Sequence, residues 1–205
     1  KLFDRIKPTY AAYAFYLLGF FLLIGAGRDQ GADYWLNGIA GVAVECMSIA
    51  ITVLVVERLL SKQADRERIE ELVLQMGSPN NAFAIEAVRL LHGKHCFSNG
   101  TLSKAMFGSA DQEGADLGYG DFEGSAFWFA RLKNANFSNT NLDQVYFEEA
   151  DLQGAEFEAA EFSETTLLPD RTYWTLDTDM TRFTDPTHPN FWRSDNPRSP
   201  AYKGH

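Results

Sequence analysis

The chain has 205 residues, with 18 basic and 28 acidic side chains, a formal net charge of −10 and two cysteines. Cys46 and Cys96 lie in different parts of the chain, so no disulfide between them is expected, and no glycine-rich phosphate loop or nucleophile–base arrangement argues for an enzyme. The charge is unevenly placed: residues 1–100 hold ten basic and ten acidic, residues 169–205 five of each, and residues 101–168 three basic against thirteen acidic. The middle segment therefore carries the whole net charge.

In chain order, residues 1–60 read as a transmembrane helical hairpin. Residues 10–26 hold no charge, and residues 36–56 are apolar apart from Glu45 and a few small polar positions. Lys1, Arg5 and Lys7 precede the first span, and Arg58, Lys62, Arg66 and Arg68 follow the second. Only Arg28 sits in the short linker, so both termini are expected in the cytoplasm. The first span is read as a retained anchor. Within the second, Gly38, Gly41, Glu45, Ser48 and Thr52 recur at helical spacing as a small, polar stripe. A carboxylate at mid-depth in lipid is costly and small-residue stripes let helices approach. The stripe is thus a candidate for packing within the hairpin or for contact with a membrane partner, and an ion or proton site at Glu45 is the alternative.

Residues 61–98 read as a helical stalk and an N-terminal cap. The helix over 57–76 places Ile69, Leu72, Val73 and Met76 at helix spacing and stops at Gly77. Ser78 and Pro79 look like an N-cap and first-turn proline for a second helix over 79–91, ended by Gly93. His92, His95 and Cys96 fall close together, but no second ligand pair has zinc spacing, and Asp177 with Asp179 is too sparse for a calcium loop.

Residues 99–168 keep a five-residue beat. Every fifth position from Leu102 to Leu167 is Leu or Phe except Gln112, and a small residue usually stands two places earlier. Neither the helix period nor the strand period holds residues five apart on one face; a coil turning a corner every five residues does. Gln112 breaks the inward set, and a buried amide there needs a polar partner, which a cap over the first coil would supply. Outward positions carry the acid: Asp121, Glu123, Glu148, Glu149, Glu156, Glu158 and Glu161 form the candidate interaction face, for a basic protein surface or, more plainly, for solubility. Residues 169–205 lose the beat; aromatic and proline-punctuated, they read as a C-terminal cap or a docking tail.

The triplets Ala115, Asp116, Leu117 and Ala135, Asn136, Phe137 and Ala150, Asp151, Leu152 resemble the pentapeptide-repeat family. The resemblance implies a right-handed, four-sided β-helix of three to four coils with the central Leu or Phe pointing inward. Stacking then makes columns: Leu102, Phe122, Leu142, Phe162; Phe107, Phe127, Phe147, Leu167; Gln112, Leu132, Leu152; Leu117, Phe137, Phe157. The stretches 51–60 and 76–84, followed by the repeats, resemble membrane-anchored pentapeptide-repeat proteins of bacteria. The expected fold class is an α+β membrane protein. The expected function is a non-enzymatic scaffold, an accessory subunit of a larger complex in a bacterial inner or photosynthetic membrane, without cofactor, metal or catalytic residue. The expected partners are other membrane subunits, the bilayer and a basic protein surface, with nucleic acid not expected. The alternatives are DNA mimicry against a nucleic-acid enzyme and a transport or sensing role at Glu45.

Overall fold

A computed structural model describes Tyr13, Ala14, Leu17, Phe21 and residues 33–204, with side chains in the last stretch from residue 41 onward. Apart from those four residues, the first expected span, 10–26, lies outside the described residues. The chain divides into two compact units, Lys1–Glu67 and Arg68–His205.

In the first unit the described structure is helical. Helix α1, Asp33–Met76, is continuous through the boundary and contributes its last turns to the second unit. Among the described residues no helix is long and apolar enough to cross a membrane. This overturns the transmembrane hairpin, the membrane-protein fold class and the multi-pass membrane localisation. The reason is charge: within residues 41–76 of α1, any stretch of 18 residues takes in at least three charged side chains. The first such set is Glu45, Glu57 and Arg58; the next is Glu57, Arg58 and Lys62. Each charge at mid-depth costs a few kcal/mol (~2.5–3.5 on insertion scales).

The second unit is a β-helix-like coil with a cap at each end. Helix α2, Asn81–Gly93, starts later than the expected 79–91 and is capped by Asn80, whose side chain accepts from Phe83 N, rather than by Ser78. The Ser78 hydroxyl instead accepts from Asn80 N, and Pro79 precedes the helix. From Met106 on, each coil of twenty residues hydrogen-bonds to the next through parallel single-residue bridges, such as Met106 to Ala126 to Tyr146 and Asp116 to Asn136 to Glu156. Inter-coil N–H···O distances run from 2.7 Å (Phe107 to Ala126) to 3.0 Å (Phe122 to Asn141). Each side is one pentapeptide, and most corners are turns in which the small residue's N–H donates to the carbonyl of the preceding inward residue, as Ala110 does to Phe107. The second of the two residues between them takes a left-handed φ, even where it is Tyr119, Phe129 or Ala159.

We number the sides by their inward residues. Side 1 holds Leu102, Phe122, Leu142 and Phe162; side 2 holds Phe107, Phe127, Phe147 and Leu168; side 3 holds Gln112, Leu132 and Leu152; side 4 holds Leu117, Phe137 and Phe157. The Phe rings stack along the axis, Phe127 on Phe147 at 5.6 Å and Phe137 on Phe157 at 5.2 Å. Leu102 through Phe147 on these columns are fully buried. The last rung corrects the sequence reading. One extra residue at 163–165 shifts the beat, so Leu168 is buried in the column and Leu167 takes the bridging place opposite Tyr146.

Both ends are covered, as open solenoid ends require. Gln112 is buried and donates from Nε2 to Met76 O at the end of α1 (2.8 Å). Asn81 of α2 donates to Glu113 O (3.0 Å), and Asp121 N bonds Phe97 O. At the far end Trp174 stacks on Phe162 (5.6 Å, 11°), and Thr184 O of the short helix α3, Thr181–Thr184, accepts from Gly154 N. Phe183 is buried against Trp192.

Candidate interaction surface

The inward residue of each pentapeptide has a neighbour on either side that points outward, so each side of the coil presents its own chemistry. Side 3 is charge-balanced. Arg131 reaches Glu113 (2.8 Å) and Asp111 (3.6 Å), and Lys133 reaches Asp151 (3.3 Å). Sides 4 and 1 adjoin and are acidic. Side 4 presents Asp116, Glu156 and Glu158; side 1 presents Asp121, Glu123, Asp143 and Glu161, with Glu164 in the turn after it. Among the described residues none of these carboxylates takes part in an ion pair, while those of sides 2 and 3 do.

Stacking like charges one rung apart (about 4.8 Å) is unfavourable. In their bridged columns the two acidic sides avoid it by interleaving amides, whereas Glu123 and Asp143 lie on adjacent rungs. Asn136 Nδ2 donates to Asp116 (3.0 Å), with Glu156 on the rung beyond. Asn141 Nδ2 donates to Asp121 (2.9 Å), with Glu161 beyond it. Asp116 and Asp121 also accept the backbone N–H two residues on. Hydrogen bonds from Ser163 above all, then Gln144 and Thr165, hold the Asp143 carboxyl below the usual carboxylate range.

The seven acidic residues singled out by sequence do not share one face. Asp121, Glu123 and Glu161 are on side 1, and Glu156 and Glu158 on side 4. Glu148 and Glu149 lie on side 2, where Arg171 neutralises them at 3.0 and 3.2 Å. Glu149 is buried: Ser194 Oγ donates to its carboxylate and Ser199 Oγ to its backbone carbonyl, so it anchors the tail. Asp116 and Asp143 belong to the surface and were missed. A period of twenty at the outward positions groups them with the same two sides.

The other candidates are dispersed or absorbed by the fold. The Gly38, Gly41, Glu45, Ser48 and Thr52 stripe lies on α1, where Gly41 has open space around it, Glu45 and Ser48 are exposed, and Thr52 Oγ1 bonds back to Ser48 O (2.9 Å). With no helix able to span a membrane among the described residues, its intramembrane meaning falls away. His92 bonds Asp116 O (2.9 Å) and stacks on Phe97, and Cys96 is buried. Among the described residues no group of three or more His, Cys, Asp or Glu could hold a metal ion.

Eight copies of the pentapeptide-repeat family model match residues 130–167. The coil is built of pentapeptide repeats. The match covers the repeats alone and gives no support to a membrane anchor or a bacterial source. No curated protein matches the chain. Among solved structures, the chain is similar to a pentapeptide-repeat protein from the cyanobacterium Cyanothece 51142, with 23% identity over 32% of this chain and 45% of that one, TM-score 0.32. It is also similar to a pentapeptide-repeat protein from the Arabidopsis thaliana thylakoid lumen, with 16% identity over 36% and 50%, TM-score 0.23. A third is HetL of Nostoc sp. strain PCC 7120, described as involved in heterocyst differentiation regulation, with 21% identity over 36% and 51%, TM-score 0.13. The chain spans about half the length of these relatives.

Proposed function

We propose that this pentapeptide-repeat chain is a non-enzymatic interaction scaffold whose acidic sides 4 and 1 receive a basic protein surface. The observation that supports this is the contrast in pairing. The coil's own Arg131 and Lys133 neutralise side 3 and Arg171 of the C-terminal segment neutralises side 2, while among the described residues the carboxylates of sides 4 and 1 have no ion pairs. Those unpaired groups are held on a rigid hydrogen-bonded frame, so a partner's Lys and Arg meet preset positions and little ordering cost falls on the coil. Such a contact is steered by charge and screened over about 10 Å at 0.1 M salt.

The test is capture of proteins from a lysate of the source cells by the full chain, at low and high salt. A fourfold variant, Glu156→Gln, Glu158→Gln, Asp121→Asn and Glu161→Gln, runs beside it. Basic proteins held at low salt, released at high salt and lost by the variant fit the reading. Retention of the same partners by the variant overturns it.

A further inference from the structure

Side 2 is unlike the others: the outward position just before each of its inward residues is apolar. The bridged column runs Met106, Ala126, Tyr146, Leu167, and an antiparallel bridge from Leu167 adds Tyr173. Met106 is 63% exposed, Tyr146 43% and Tyr173 59%. Trp128, also exposed, lies flat over Gly108, where a Cβ would come within 2.1 Å of its indole nitrogen. A glycine beneath an indole lets the ring lie against the backbone, which keeps this side flat. Outward residues of a solenoid bear no core duty, so a continuous apolar column over successive coils needs another explanation.

The geometry also decides what adjoins it. Residues just after the inward position of one side face the corner shared with the next side. Glu123 and Asp143 therefore line the edge of side 1 that meets side 2, with Glu164 in the turn itself. Met106, Ala126, Tyr146 and Leu167 line the facing edge of side 2. The apolar column and the unpaired carboxylates are parallel stripes across one corner. On the other edge of side 2, Glu148 is already neutralised by Arg171.

We infer that this corner is a docking site for a basic amphipathic helix, which seats its apolar face on Met106, Tyr146 and Trp128 and its Lys and Arg side chains over Glu123, Asp143 and Glu164. This deepens the proposed function and rests on it. Charge selects the occupant. A second copy would set carboxylates against carboxylates, and a nucleic acid or an anionic lipid surface would meet the same repulsion. Spacing suits a helix: its turns repeat every 5.4 Å, close to the coil's rungs at about 4.8 Å, so two or three successive contacts stay in step.

The experiment uses the full chain and two labelled probe peptides of equal length and charge. One is a Lys/Leu peptide with its leucines on one helix face; the other is a Lys/Ser peptide. Fluorescence anisotropy at low salt should show the Lys/Leu peptide bound about tenfold more tightly, equivalent to ~1.4 kcal/mol. In the variant Met106→Thr with Tyr146→Thr, both outward, that preference should vanish while Lys/Ser binding stays as before. Unchanged thermal unfolding of the variant shows that the fold is kept, and Tyr173→Ser serves as a second variant if it is not. A preference that survives in the folded variants, or equal binding of both peptides to the native chain, overturns the inference alone. Failure of either peptide to bind at low salt overturns the acidic-surface reading as well. Self-association of the native chain, or binding to zwitterionic vesicles, abolished by the variant, assigns the stripe to another occupant and also overturns it.

Discussion

Side 3 and side 1 share one backbone trace, the same ladder of hydrogen bonds and a buried inward column, yet their outward chemistry is opposite. On side 3 Arg131 and Lys133 sit between acidic rungs and pair with them. On side 1 the corresponding rung between Asp121 and Glu161 carries Asn141, which relieves stacking but leaves the charge uncompensated. One rung substitution, cation against amide, separates a self-satisfied side from one that is open to a partner. The inward column builds the coil, and the outward residues are free to differ side by side.

The sharpest break of that contrast is inward against outward. Phe127→Ala removes a fully buried ring stacked between Phe107 and Phe147 and should cost about 3–5 kcal/mol in urea unfolding. Glu158→Gln on the surface should stay within ~0.5 kcal/mol. Next comes the last rung, where Leu168→Ala should cost about 2–4 kcal/mol while Leu167→Ala, half-exposed in the bridging place, costs under ~1. Equal losses would restore the unshifted five-residue beat.

Corner residues give a smaller effect of either sign. Gly154 has φ +74°, and a Cβ there would come within 2.2 Å of Asn134 Oδ1, so Gly154→Ala should lower stability by about 1–2 kcal/mol. Ala159 holds φ 54° without being glycine, so Ala159→Gly should be neutral or gain up to ~1 kcal/mol. Arg131→Ala should change stability by under ~1 kcal/mol. It should also give side 3 the salt-sensitive capture of basic proteins assigned to side 1, so a purely side-1 specificity after this change would blunt the contrast.

The smallest effect is in acid. A carboxyl whose folded pKa lies below its unfolded value adds stability above the unfolded pKa, near ~3.9 for Asp. That contribution is lost as pH falls through the lower, folded value. Asp143 is such a group, so Asp143→Asn should flatten the acid limb of the stability curve below about pH 4 and leave neutral pH almost unchanged.

The coil was legible because Leu and Phe at every fifth place admit one geometry, and the need of Gln112 for a polar partner was legible from its place in the first coil. The slip at the last rung was not. Thr165 and Thr166, and Leu167 and Leu168, are doublets that fit either register, and only the fold chooses between them. The surface was half legible: acid was seen at outward positions, but which side each residue joins depends on a period of twenty. The membrane reading weighs Glu45 alone against a long apolar run, whereas Glu57 and Arg58 count beside it in the window 41–58.

At three corners a hydroxyl replaces the small apolar residue, and each reaches the carbonyl of an inward residue one coil earlier: Ser125 to Leu102, Thr140 to Leu117, Thr166 to Leu142. These bonds act as a ratchet with a pitch of one full coil. Insertion or removal of whole twenty-residue units leaves every hydroxyl opposite a carbonyl, so the protein can lengthen or shorten only in such quanta. The odd residue at 163–165 violates that quantum at the one place where no further coil has to be stacked. It is absorbed where only the rung of Leu167 and Leu168 and the C-terminal cap remain to be stacked.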